Sequence, residues 1–316
     1  MLFYNQHYNC YRLVVAAMIN RNNIDTEVLW KTIGIHFNKY FERKISPRYI
    51  SLKNELEIYG ITLHQNHFNN FQELLKYLFI NIKNKTIGIE LDAYYLPYCI
   101  HYKKYHYSHS LEVIDVKEHE ILINDHFFNY SGKIDIRTLE LSVEHRAQKL
   151  RDNEYTLFYI SLNQDKNSTN FYENNILALQ GDLIYEDENT ESVTGIPAIN
   201  SFKEELFKVM KYQDKLYVNN YIDDLYEDIK EMSNSRYHFS NFAYSNHDEH
   251  LSKVVLHASQ SWAILAHILL KSVVKGDIFR NHNRLDEVFE KVINSENDIL
   301  KNLYTIEYER SESNGR

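Results

Sequence analysis

Residues 10–20 read CYRLVVAAMIN, and wound at 3.6 residues per turn they are apolar on nearly every face. A helix lying on a domain surface would keep a polar stripe; this one is expected to be buried. Asn9, just before it, is a suitable N-cap. Cys10 therefore opens a buried helix, where the positive end of the helix dipole and the unpaired N–H groups favour a thiolate. A small hydrophobe would also suit that position, since free cysteine is among the most buried residue types.

Outward from this helix, a second is expected from about Asp25 into the Phe37 region, and a third from Asn69 to Asn81, where Phe71, Leu74, Leu75, Leu78 and Ile82 recur at helical spacing. Strand signals follow in IGIELDAYY (87–95), LEVIDV (111–116), EILIN (120–124) and YTLFYI (155–160). Residues 117–119 are a link of hairpin length between the second and third of these. The polar run NQDKNSTN (163–170) marks the expected domain boundary. Beyond it, helical patterns at 200–212, 217–232, 249–275 and 283–303 predict a helical half, and the tail 311–316 reads as disordered. Helices, then strands, then helices do not alternate as a doubly wound sheet would, so the expectation is α+β. Domains are expected at 1–165, catalytic, and 166–310, helical.

Composition narrows the chemistry. The 316 residues include 8 Gly and 3 Pro, against about 22 and 16 at average usage, so repetitive β architectures and glycine-rich phosphate loops are disfavoured. Tyrosine is in excess at 26 copies. A net charge of −9 without a basic run argues against nucleic acid or an anionic membrane surface as partner. The acidic stretch around Glu186 to Glu191 reads as a solvated loop. Two cysteines, Cys10 and Cys99, make neither a disulfide framework nor a Cys-x-x-Cys pair, which suits a reducing compartment. The apolar stretch 261–274 falls short of the roughly 20 residues that span a bilayer. A cytoplasmic protein is expected.

In YHYSHSLEVI (105–114), His109 stands where a strand begins, and the next strand ends at Asp125. A hairpin brings its open ends together, so these two side chains become neighbours. A cysteine on a helix N-terminus, a histidine opening one strand and an aspartate closing the next form the set of nucleophile, general base and orienting group. The Cys10 N–H is one candidate oxyanion donor, and a side-chain amide of Gln6, Asn5 or Asn9 is a second. His101, His106 and His109 lack zinc spacing, and no metal or bound cofactor is expected.

Tyr8-Asn9-Cys10 before an apolar helix, ELDAYYLPY (90–98), Tyr102 to His106, His109 and the hairpin to Asp125 resemble the N-terminal domain of the butirosin biosynthesis protein H family, which is papain-like and related to bacteriocin-leader peptidases. GIPAI (195–199), RYHF (236–239), Phe242 and Trp262 resemble its helical C-terminal part. The resemblance implies a papain-like acyltransferase: Cys10 attacks a thioester on the phosphopantetheine arm of an acyl or peptidyl carrier protein, His109 handles the proton, and Asp125 holds the imidazole. The acyl group then passes to an amine acceptor during natural-product assembly. In the related peptidases an oxyanion Gln lies six residues before the Cys, whereas Gln6 lies four before Cys10. Asp92, Tyr94, Tyr95, Tyr98 and His106 become candidates for the substrate pocket. Hydrolysis on the same triad, as a peptidase or thioesterase, is the alternative, and a silent carrier-docking module is a third; an oligomer is compatible with each.

Overall fold

The computed structural model describes residues 2–26, 31–40, 44–47, 51–150, 154–163, 171–183, 192–275 and 282–314. Most of the boundary run 163–170, the acidic loop 186–191 and positions 315–316 lie outside the described residues. The chain is α+β and divides into two compact units, Met1–Thr26 with Leu56–Asn167, and Glu27–Glu55 with Ser168–Arg316. The first unit is therefore not the continuous 1–165 expected, because the segment 27–55 belongs to the second.

The first unit is built on a six-stranded antiparallel sheet of order β3-β8-β4-β5-β6-β7, from β3 (Ile61–Phe68), β4 (Ile87–Asp92), β5 (Ser108–Val116), β6 (Glu120–Asp125), β7 (Tyr130–Asp135) and β8 (Tyr155–Leu162). Helices α3 (Phe71–Asn81) and α4 (Ile136–Leu150) cover one face; Leu74, Leu78, Leu139, Val143 and Ala147 form a core there with Ile87, Ile89, Leu91, Leu111 and Val113. Helix α1 (Cys10–Arg21) covers the other, its residues Leu13 to Ile19 almost fully buried. β4 is covered on both faces, so it is buried almost throughout although Ile87, Ile89 and Leu91 alternate with Gly88, Glu90 and Asp92. Asn9 caps α1, its Oδ1 accepting the Arg12 N–H at 2.9 Å, and Asn70 caps α3 in the same way.

The strand expected over 87–95 stops at Asp92. There the Asp92 carboxylate accepts the Tyr94 N–H at 2.9 Å and caps a 3-10 turn, Ala93–Tyr95. The expected hairpin between β5 and β6 forms, with a bulge between Val113 and Asp115 that turns Val116 inward and leaves Ile114 half-buried.

The second unit holds α5 (Phe171–Gln180), α6 (Pro197–Tyr212), α7 (Lys215–Ser245), α8 (Glu249–Lys275) and α9 (His282–Asn314), with a small sheet of β1 (His36–Phe37), β2 (Ile45–Ser46) and β9 (Val193–Thr194) in the order β2-β1-β9. Helix α2 (Leu52–Ile58) carries the chain back to the first unit. The helix expected from Asp25 to the Phe37 region is not found in its described part: residues 32–38 are buried and extended. Their backbone groups bond to distant segments rather than along a helix: Ile33 N–H to Asn175 Oδ1, Gly34 N–H to Pro47 O, and Ile35 O from Gly195 N–H. At Gly195 the backbone takes φ +70° with the Gly181 nitrogen 2.4 Å from where a Cβ would sit, so only glycine fits.

The tail is also corrected. Helix α9 runs to Asn314, supported by Tyr308 Oη donating to Glu312 one turn on. Helix α8 is long and apolar enough to cross a membrane by length and composition, unlike the shorter stretch expected, but half of its most apolar window is buried. In the core of the second unit, Arg236 grips Glu296 through Nε and Nη2, and Trp262 Nε1 donates to the same carboxylate at 2.6 Å. All three are fully buried; Arg236 Nη2 also donates to the Gly34 carbonyl at 2.9 Å, while Nη1 has no hydrogen-bond partner among the described residues.

Candidate active site

The register Glu112 opposite Asn124 fixes which side chains share a face of the hairpin. Asp125 is one residue from that pair and His109 three, so both project to the other face. Their side chains meet, His109 Nε2 lying 2.7 Å from Asp125 Oδ2, and neither is solvent-exposed. Asp125 is saturated with donors: Tyr98 Oη at 2.9 Å on Oδ2, and the N–H groups of Phe127 at 3.1 Å and Phe128 at 3.0 Å on Oδ1. Burial works against its charge, but these bonds and the His109 ring outweigh it and hold the carboxyl below its ordinary range. With Nε2 committed to Asp125, the buried Nδ1 is the ring nitrogen left to face Cys10.

Cys10 supplies what faces that ring. Burial pushes its thiol up, yet the charge of His109 and the N–H groups of Ser110 and Tyr11 prevail and lower it below the ordinary value. His109 moves the other way. Burial disfavours its charge, but Cys10 and Asp125 push its pKa up to about 10. The two shifts describe a thiolate–imidazolium pair, with Cys10 partly exposed and Cys99 buried. The ring is turned the opposite way from a serine triad, with Nε2 on the carboxylate and Nδ1 toward the nucleophile.

The structure thus brings Cys10, His109 and Asp125 together. The amides are placed differently. Asn9 is engaged as the N-cap through its oxygen, Asn5 Oδ1 accepts the His7 N–H, and the exposed Gln6 bonds to the His7 ring at 3.1 Å. None of those contacts is with the sulfur. The helix start itself leaves the Cys10 N–H without an intrahelical partner.

The candidate pocket residues also differ from expectation. Tyr98 holds Asp125 and stacks on Tyr130 at 3.8 Å, making it a support for the triad rather than a wall. Asp92 is fully buried and its Oδ2 meets His106 Nδ1 at 2.7 Å and His145 Nδ1 at 2.6 Å. Oδ1 takes the N–H groups of Tyr94 and Tyr107. Tyr94 stacks on His106, and His106 on His145 at 4.1 Å and 17°. Among the described residues this is the one His and carboxylate group of metal-ligand composition. Both ring nitrogens converge on the one Asp92 oxygen, and the group ties β4, the loop 93–107 and α4 together. Tyr95 packs against both histidines.

Sequence reasoning missed His145, which α4 delivers from far along the chain, and Tyr107, Phe127 and Phe128, whose rings surround His109 at 5.0–5.9 Å. Two-residue periodicity back from His109 was the signal for Tyr107. The chain matches no protein-family model and no curated protein sequence.

Proposed function

We propose that this chain is a cysteine-dependent acyltransferase of papain-like type, which takes an acyl or aminoacyl group from a carrier-protein thioester and delivers it to an amine. The observation that carries the reading is geometric: Cys10 opens α1 beside the buried His109 imidazole, whose Nε2 lies 2.7 Å from Asp125, and the opposed pKa shifts of Cys10 and His109 agree with it. In the first half-reaction the Cys10 thiolate attacks the thioester carbonyl. The bond from that carbon to the pantetheine sulfur breaks, and the departing thiolate takes the His109 proton. In the second, the amine attacks acyl-Cys10, its proton passes to His109, the C–N bond forms and the C–Sγ bond breaks. Thiolate and imidazolium are restored, and the products are an amide and a free carrier thiol.

A thioester donor suits this nucleophile because one thiolate replaces another. Phe127, edge-on to His109 and 46% exposed, offers an apolar rim to the arm of such a donor. The resemblance to the butirosin biosynthesis protein H family supports the amine acceptor. Hydrolysis is the second reading, and the partial exposure of Cys10 favours it, since water reaches an open acyl-enzyme.

The test is to incubate the protein with the N-acetylcysteamine thioester of a short acyl group and measure intact mass with and without a primary amine. An adduct on Cys10 that the amine discharges as amide supports transfer, discharge by water alone supports hydrolysis, and an adduct persisting in Cys10→Ala contradicts both.

A further inference from the structure

One polar atom beside the triad has little use in the resting protein. Tyr107 lies two residues before His109, on the same side of the extended chain, and its ring stands edge-on to the imidazole at 5.9 Å. Its hydroxyl is buried and, among the described residues, has no partner stronger than the adjacent Cys99 thiol. A weakly satisfied buried hydroxyl is destabilising, yet its backbone is held in place: the N–H donates to Asp92 Oδ1 at 3.2 Å and the carbonyl accepts the Ala93 N–H at 3.2 Å. The neighbouring Cys99 sulfur is a weak acceptor and already takes the His101 N–H at 3.3 Å.

We propose that Tyr107 is a catalytic residue whose hydroxyl donates a hydrogen bond to the oxyanion formed when Cys10 attacks the acyl carbonyl. The proposal rests on the acyl-transfer reading above and supplies the side-chain donor that Gln6, Asn5 and Asn9, with their own contacts, do not provide. The hydroxyl gains a stronger partner when the carbonyl oxygen becomes charged, so the bond stabilises the transition state more than the resting protein. Burial first, then the thiols of Cys99 and Cys10 and the Asp125 carboxylate, push the phenol's pKa up. It keeps its proton and stays a donor through the cycle. The backbone N–H of Cys10 is the second donor, and the two act on the same oxygen.

The experiment compares wild type, Tyr107→Phe and Cys10→Ala in two reactions of the same sulfur. Acylation by the N-acetylcysteamine acetyl thioester passes through an oxyanion; alkylation by iodoacetamide does not. Tyr107→Phe is expected to slow single-turnover acylation by about 100-fold, with the alkylation rate unchanged and the thermal midpoint not lowered. Acylation undiminished in Tyr107→Phe, or acylation and alkylation reduced by the same factor, overturns the assignment and leaves the acyl-transfer reading standing. Failure of wild type to acylate at Cys10 overturns both.

Discussion

Cys10, His109 and Asp125 were legible at the level of single residues because each sits at an element boundary that short-range pattern marks: a helix start, a strand start and a strand end. Residues whose roles depend on partners far along the chain were not. Tyr98 reads as a pocket aromatic until its hydroxyl is seen on Asp125, and His145 is invisible to any local pattern that contains Asp92. His126 is a third case. Its Nδ1 accepts the Phe3 N–H at 3.0 Å, so Nε2–H donates to Glu112, tying the segment before Cys10 to the sheet. Burial first, and then the charge of Arg21, push its pKa down to about 4, Glu112 being already paired with the Arg21 guanidinium. The unfolded histidine takes a proton near its ordinary value of about 6.5, whereas the folded one resists to about 4. Stability from this group is present above about 6.5 and lost as the pH falls through that window. The urea midpoint is expected to drop between pH 6.5 and 4 in wild type and to drop less in His126→Gln; equal slopes would contradict the assignment.

At the scale of elements, α1 is legible in its all-round apolarity and α6 to α9 in their apolar stripes, although α7 runs to Ser245 rather than 232 and α9 to Asn314 rather than 303. Helix α4 was missed although its signal was present: Asp135 accepts the Thr138 N–H as a cap, and Ile136, Leu139, Val143 and Ala147 share a face, diluted by charged and polar residues around them. The segment 32–38 misled because a short apolar run does not distinguish a helix from a buried extended chain. What sets α1 on the sheet is a close approach no sequence pattern shows. Gly88 pairs with Phe158 across β4 and β8, and a Cβ at Gly88 would lie 2.3 Å from the Phe158 ring, which in turn packs on Tyr11 at 4.5 Å. Gly88→Ala is expected to cost about 1–3 kcal/mol as overpacking and to slow Cys10 alkylation by shifting the start of α1. An unchanged urea midpoint with unchanged alkylation would show that α1 is positioned by other contacts.

Over the whole molecule, the α+β class and the helical character of the second half followed from the order of the patterns. The excursion of 27–55 into the second unit did not, because it is sealed by hydrogen bonds to Asn175 and Gly195, both over a hundred residues away. The chain has few glycines and prolines, and it concentrates its chemistry in the first unit, where one capped helix and one bulged hairpin hold a thiol against an imidazole. The central claim is that Cys10 rests as a thiolate paired with His109. The pH dependence of iodoacetamide labelling at Cys10, read by peptide mass spectrometry in wild type and His109→Ala, tests it most directly. The account predicts rapid labelling of Cys10 ahead of Cys99, with an inflection below the ordinary thiol value of about 8.5, shifted upward in His109→Ala. Labelling of Cys99 first, or an ordinary inflection that His109→Ala leaves in place, would contradict it.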